Sequence, residues 1–228
     1  MAEAGTLHDA FIDELRDAYD AEKQLLKALP KMAKAASSPE LQQAFLTHRD
    51  ETQGQIQRLE QVFASLDEKV RGKHCEGIAG IIEEGKSAME EDFDETTMDA
   101  VLIASGQRAE HYEMAAYGTL VAWAKAMGHT EAADVLQEIL DEEKATDEKL
   151  SALAEGGINQ EAASGAHGED AEGEEADEDT PARPARAPMK KAAGAGAGRS
   201  ASAGRSSAGA RGGSSRGSGG AAKKSGRR

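Results

Sequence analysis

Four long segments of this chain repeat apolar residues at helical spacing, and each sets an acidic residue inside its own apolar stripe. The four are Glu22, Glu51, Glu110 and Glu143. Positions i, i+3, i+4 and i+7 of a helix share a face, so a residue in the stripe points at whatever the helix packs against. A carboxylate buried there is costly unless it is paired or bound to a cation. Four such positions on four helices point to carboxylates converging on a metal centre.

The first helix starts after Thr6, with Asp9 as its capping partner. Its stripe reads Phe11, Leu15, Ala18, Glu22, Leu25, Leu29 and Met32, and Pro30 is a candidate kink. Ser38 caps the second helix, Pro39 opens it, and it runs to about Leu66. Its stripe is apolar at the ends (Leu41, Phe45, Leu59, Val62) and polar in the middle (His48, Glu51, Thr52, Gln55). A connection over 67–96 holds a short amphipathic segment, Gly77 to Met89. The third long helix runs from Thr96 or Thr97 to Met127, with Gly128 as its stop. The fourth is capped by Thr130 and ends at Glu155-Gly156-Gly157. Short links within each pair and one long link between the pairs predict two antiparallel hairpins with one crossover. That is an all-α, ferritin-like four-helix bundle over residues 1–160.

Charge divides the rest. Residues 181–228 hold 12 Lys or Arg and no Asp or Glu, leaving 15 basic residues against all 42 acidic ones in the first 180. With an acidic run at 169–179 and almost no large apolar residue, 161–228 reads as a disordered tail. The acidic part repels nucleic acid and attracts cations, whereas the basic part suits non-specific contact with phosphates. The single cysteine, Cys75, excludes an intramolecular disulfide framework. MAEAGTLHDAF lacks a basic and apolar leader, and no run of apolar residues is long enough to span a bilayer. The expectation is a cytoplasmic protein with no membrane contact.

Iron and manganese favour carboxylate oxygen with some imidazole nitrogen. Di-metal bundles of this type pair a Glu on one helix with Glu-x-x-His on its neighbour. Here Gly54 and Thr146 stand three residues after Glu51 and Glu143, and one position further on stand Gln55 and Asp147, both with oxygen to offer. His48 precedes Glu51 by one turn and reads as a ligand, a neighbour of ligands or a core histidine. Glu113, three residues after Glu110, reads as a further carboxylate, a surface residue or a neighbour of ligands. A purely structural bundle with its core acids paired to Lys or Arg is the competing reading. Lys and Arg are scarce at the central stripe positions, which counts against it.

The segments ELRDAYDAEKQLLKALPKMAKAA, LTHRDETQGQIQRLEQVF, AEHYEMAAYGTL and LDEEKATDEKLSALA resemble the YciE/YciF ferritin-like family of bacterial proteins. The resemblance spans roughly residues 6 to 155. It implies the ferritin-like fold and two metal ions, iron or manganese. The site it implies is Glu22, Glu51, Glu110 and Glu143, with Asp147 and Gln55 alongside. It also implies an association with stress and a ferroxidase-type activity. The alternative is a non-enzymatic stress or nucleoid-associated protein that contacts DNA through 181–228. Packing of helix faces makes a homodimer the remaining partner expectation.

Overall fold

The computed structural model describes residues 5–166. The expected tail, apart from its first few residues, lies outside them. The elements are α1 (Leu7–Ala35), α2 (Pro39–Ser65), α3 (Glu76–Ala88), α4 (Glu95–Met127), α5 (Thr130–Leu153), a π-helical turn (Ala154–Ile158) and α6 (Asn159–Ala166).

Local chemistry sets most of the ends. Thr6 and Asp9 form the reciprocal capping box, with Thr6 N donating to Asp9 Oδ2 at 2.7 Å and Asp9 N to Thr6 Oγ1 at 3.3 Å. Ser38 Oγ accepts from Leu41 N at the start of α2. Gly128 closes α4 at φ 78°, the left-handed value that favours glycine. Helix α1 continues through Pro30 without a break.

One sequence expectation about the helix ends is corrected and one is met. Thr130 is the first helical residue of α5 rather than its cap; His129 holds the cap position and makes no side-chain cap bond. The fourth long helix ends where the glycine pair predicts: α5 stops at Leu153, and the chain kinks at Gly157. Gly157 takes a φ of +156° within a π turn, and α6 follows directly, carrying helix past residue 160. Glycine's freedom at that angle lets the chain bend there without stopping.

Helix α1 packs on α2 and α4, and α5 packs on α4 and α2. Asp99, near the start of α4, accepts from Ser37 N and Ser38 N, both at 2.7 Å, beyond the far end of α1. So α1 and α4 run antiparallel, and the crossover returns the chain along the bundle. The result is two antiparallel hairpins joined by one long crossover, the ferritin-like arrangement. The crossover is tied to α1: Lys73 N donates to Arg16 O at 3.0 Å and Cys75 N to Asp20 Oδ2 at 3.0 Å.

The core is split. One apolar cluster gathers Phe11, Leu15, Leu59, Phe63, Leu120 and Leu136. The other gathers Leu25, Leu29, Leu41, Phe45, Leu102 and Leu150. Along every bundle helix the residues between the two clusters include buried polar ones: Glu22, then His48, Thr52 and Gln55, then Glu110 and Glu113, then Glu143 and Thr146. Burial of each large apolar side chain contributes about 1.5–3 kcal/mol, so two apolar ends clamp a polar middle layer. Among the described residues no helix is long and apolar enough to cross a membrane.

Candidate metal centre

The middle layer brings His48 from α2, Glu110 and Glu113 from α4, and Glu143 from α5 together, with one ligand atom from each inside a 4.8 Å group. All four are buried, Glu143 completely. His48 Nε2 lies 3.2 Å from Glu110 Oε1 and 4.0 Å from Glu143 Oε2, without the alignment of a hydrogen bond.

Glu22 enters the layer from α1 at 1% exposure. Its Oε1 accepts a short hydrogen bond from the Tyr117 hydroxyl. Gln55 Nε2 donates to Glu143 Oε1 at 2.5 Å and to Glu142 Oε2 at 3.2 Å. Arg58 grips Glu142 with both terminal nitrogens, Nη1 to Oε1 at 2.7 Å. A surface ion pair is thereby connected through one amide to a buried carboxylate.

Much of the polar chemistry in this layer is unspent. Among the described residues, both ring nitrogens of His48, both oxygens of Glu113, and one oxygen each of Glu22, Glu110 and Glu143 are buried without a hydrogen-bond partner; so is Gln55 Oε1. Buried polar atoms are nearly always partnered, and the four residues whose ligand atoms converge here can hold a cation.

Electrostatics agree. Burial pushes the Glu22 carboxyl up to about 7, although the Tyr117 hydrogen bond and His48 pull it down. Burial, then the charges of neighbouring acids, raise Glu113 and Glu143 well above the ordinary carboxylate range. Burial opposes the charged form of His48, yet Glu110, Glu51 and Glu143 outweigh it and raise its pKa well above normal. Tyr117 is raised by burial and by Glu22, Glu113 and Glu143. Such a group of acids shares protons until a multivalent cation replaces them.

Of the residues expected from the sequence, Glu110 and Glu143 lie in the group of four, and Glu22 and Gln55 border it. His48 and Glu113, which the sequence left open, stand at its centre. Glu51 stands outside the group, its side chain 41% exposed and its Oε2 3.7 Å from His48 Nδ1. The inward register of α2 passes through His48, Thr52 and Gln55, which puts Glu51 at the helix edge. Asp147 likewise stands apart, because Thr146 takes the inward position. It accepts from Gln107 Nε2 at 3.1 Å and lies 3.3 Å from His111 Nε2. Tyr117, buried on α4, is the hydrogen-bond partner of Glu22.

Residues 6–163 match the family model described as "Domain of unknown function (DUF892)". The chain belongs to this family. It is 46% identical over 158 residues to Protein YciF of Escherichia coli strain K12, spanning 69% of this chain and 95% of that protein. The crystal structure of the E. coli stress protein YciF aligns with a TM-score of 0.66 at 46% identity, covering 68% of this chain and 99% of that one. YcfI from Rhodopseudomonas palustris aligns at 0.63 and 44% identity, covering 66% and 96%. A protein from Xanthomonas campestris pv. campestris at 23% identity, with a TM-score of 0.56 and coverage of 71% and 99%, shares the fold. A YciF relative with a buried histidine–glutamate cluster fits a ferritin-like metal-binding protein.

Proposed function

We infer that the chain is a di-metal protein, loaded with iron or manganese, that oxidises Fe(II) and so consumes oxygen or peroxide as protection against oxidative stress. The observation that carries this is the convergence of partnerless buried oxygen and nitrogen atoms on His48, Glu110, Glu113 and Glu143. Oxygen-rich ligands with one imidazole suit iron and manganese, and a bound pair of such ions supplies one-electron redox chemistry.

The chain's own residues do the rest. His48, Glu110, Glu113 and Glu143 would hold the ions, and Glu22 would offer a fourth carboxylate from α1. Tyr117 orients Glu22, and Gln55 orients Glu143. The apolar clusters on either side keep bulk water out. Glu113 and Glu143 release protons as cations enter, because their raised pKa values favour the neutral form only while the site is empty of charge. The exposed carboxylate of Glu51, beside His48, offers a cation its first contact on the way in.

Anaerobic titration with Fe(II) and Mn(II), then metal analysis and oxygen uptake, tests this. The expected stoichiometry approaches two ions per chain, as in other di-metal bundles. Less than one ion per chain, or unchanged binding in Glu110→Ala and Glu143→Ala variants, would sink it.

One further observation supports a second role. The 12 Lys or Arg of residues 181–228, free of any acid, are suited to phosphate contacts of steep salt dependence. A mobility-shift comparison of the full chain with residues 1–166 tests DNA contact, and equal retardation by the two, or none by either, removes this reading.

A further inference from the structure

A cavity of about 440 Å³ lies between α1, α3 and α4, and none of the buried acids of the middle layer lines it. Leu25 and Met32 of α1 and Ile81 and Ile82 of α3 line it, and among the described residues no Phe, Tyr or Trp does. Its size falls within the roughly 300–1,000 Å³ of small-molecule sites. Ile81 and Ile82 are only half-buried, so α3 turns aliphatic surface into the cavity that the protein does not cover.

The rim has the opposite character. Lys27 and Lys31 stand one turn apart on α1, and Lys86 adds a third ammonium from α3. Residues 5–166 carry 33 acidic side chains against 15 Lys or Arg, so three lysines at one mouth run against the charge of the whole bundle. Like charges four residues apart on a helix repel. Lys86 has Glu83 at 3.3 Å, but Lys27 and Lys31 have no carboxylate within ion-pair reach among the described residues. Asp20, the acid at this cavity, is already engaged by Cys75 N, the Gln24 amide and His74.

An aliphatic floor under unneutralised ammonium groups selects an anion with a hydrocarbon body. We propose that this cavity binds a medium-chain aliphatic carboxylate, its head between Lys27 and Lys31 and its chain along Leu25, Met32, Ile81 and Ile82. The site is independent of the metal centre, and its occupancy does not require a loaded bundle.

Isothermal titration of the full chain with decanoate tests this, with 1-decanol and decyltrimethylammonium as probes of the head group. Decanoate is expected to saturate at one site, decanol to bind at least about tenfold more weakly, and the cationic amphiphile not to bind. The double variant Lys27→Glu/Lys31→Glu is expected to weaken decanoate by about tenfold or more and leave decanol unchanged. Both lysines are exposed, so an unaltered melting curve will accompany that loss. Non-saturating decanoate binding, equal affinity for the cationic amphiphile, or full binding by the double variant would overturn the proposal.

Discussion

The hydroxyl of Tyr117 on α4 donates to Oε1 of Glu22 on α1, inside a layer where both side chains are buried. Among the described residues it is the one side-chain hydrogen bond Glu22 receives, its other oxygen being unpartnered. Tyr117→Phe therefore strips a buried carboxyl of its donor. Leaving a buried acceptor unsatisfied costs about 1–3 kcal/mol, and the Glu22 carboxyl, already raised to about 7, moves higher. Infrared spectroscopy of the protonated-carboxyl band across a pH series, with a thermal melt, checks both. An unchanged band and melt would mean that the bond does not hold in solution.

Glu113→Gln separates stability from metal binding. Both Glu113 oxygens are partnerless, and its pKa is raised first by burial and then by Glu22, Glu143 and Glu110. The substitution relieves the metal-free protein, because at pH 8 folding must either protonate this carboxyl or bury its charge, and a neutral amide of similar shape demands neither. The metal-free variant should melt higher than the parent at pH 8. Metal affinity should fall by about 10–100-fold, the scale seen even for outer partners of metal ligands. A lower melt together with unchanged affinity would contradict both halves.

How much of this was legible in the sequence depends on the helix. On α4 and α1 the stripes were regular, so Glu110 and Glu22 could be read inward from spacing alone. The long 67–96 link identified the crossover because tight and long connections have different geometric reach. On α2 the stripe holds adjacent polar residues, and one position is a rotation of about 100°. Glu51 and Thr52 were therefore alternatives that only packing could separate, and packing put Thr52 inward at 0% exposure. Asp147 and Thr146 posed the same ambiguity on α5. Glu113 had a usable signal, since it sits three residues after Glu110 and four before Tyr117. The partnership of Tyr117 with Glu22 had none, because it spans 95 positions of sequence.

The pH dependence of the metal-free protein follows from these shifts. Glu22 rises from 4.5 to about 7 on folding, with burial as the main cause. A group whose pKa is higher in the folded state contributes stability that is complete below its unfolded value and is lost as pH rises through the folded one. Glu113, Glu143 and His48 shift in the same direction. Metal-free stability should thus decline from about pH 4.5 upward through 7, by roughly 3 kcal/mol from Glu22 alone. Saturating Mn(II) should reverse the trend, since rising pH frees the carboxylates to bind. Urea unfolding with and without Mn(II) between pH 5 and 8 reads the two slopes. Slopes of the same sign would show that the buried acids do not titrate as described.

Gly77 in the first turn of α3 lies against the ring of Tyr112, where an added Cβ would sit 2.5–2.8 Å from ring atoms. Tyr112 cannot yield freely. Its hydroxyl donates to Asp17 Oδ2 at 3.1 Å and lies 3.1 Å from Cys75 Sγ, the residue that caps α3. Gly77→Ala should therefore destabilise the protein by about 1–3 kcal/mol, the usual scale for overpacking, despite alanine's better helix propensity. The Cys75 thiol, which is buried and raised in pKa by that burial, should become accessible at the same time. Reaction with a thiol reagent under native conditions, faster in Gly77→Ala than in the parent, checks the prediction. An equal rate and an equal melt would mean that Tyr112 moves aside without loosening the α3 cap, and that its bonds to Asp17 and Cys75 hold α3 less firmly than their geometry implies.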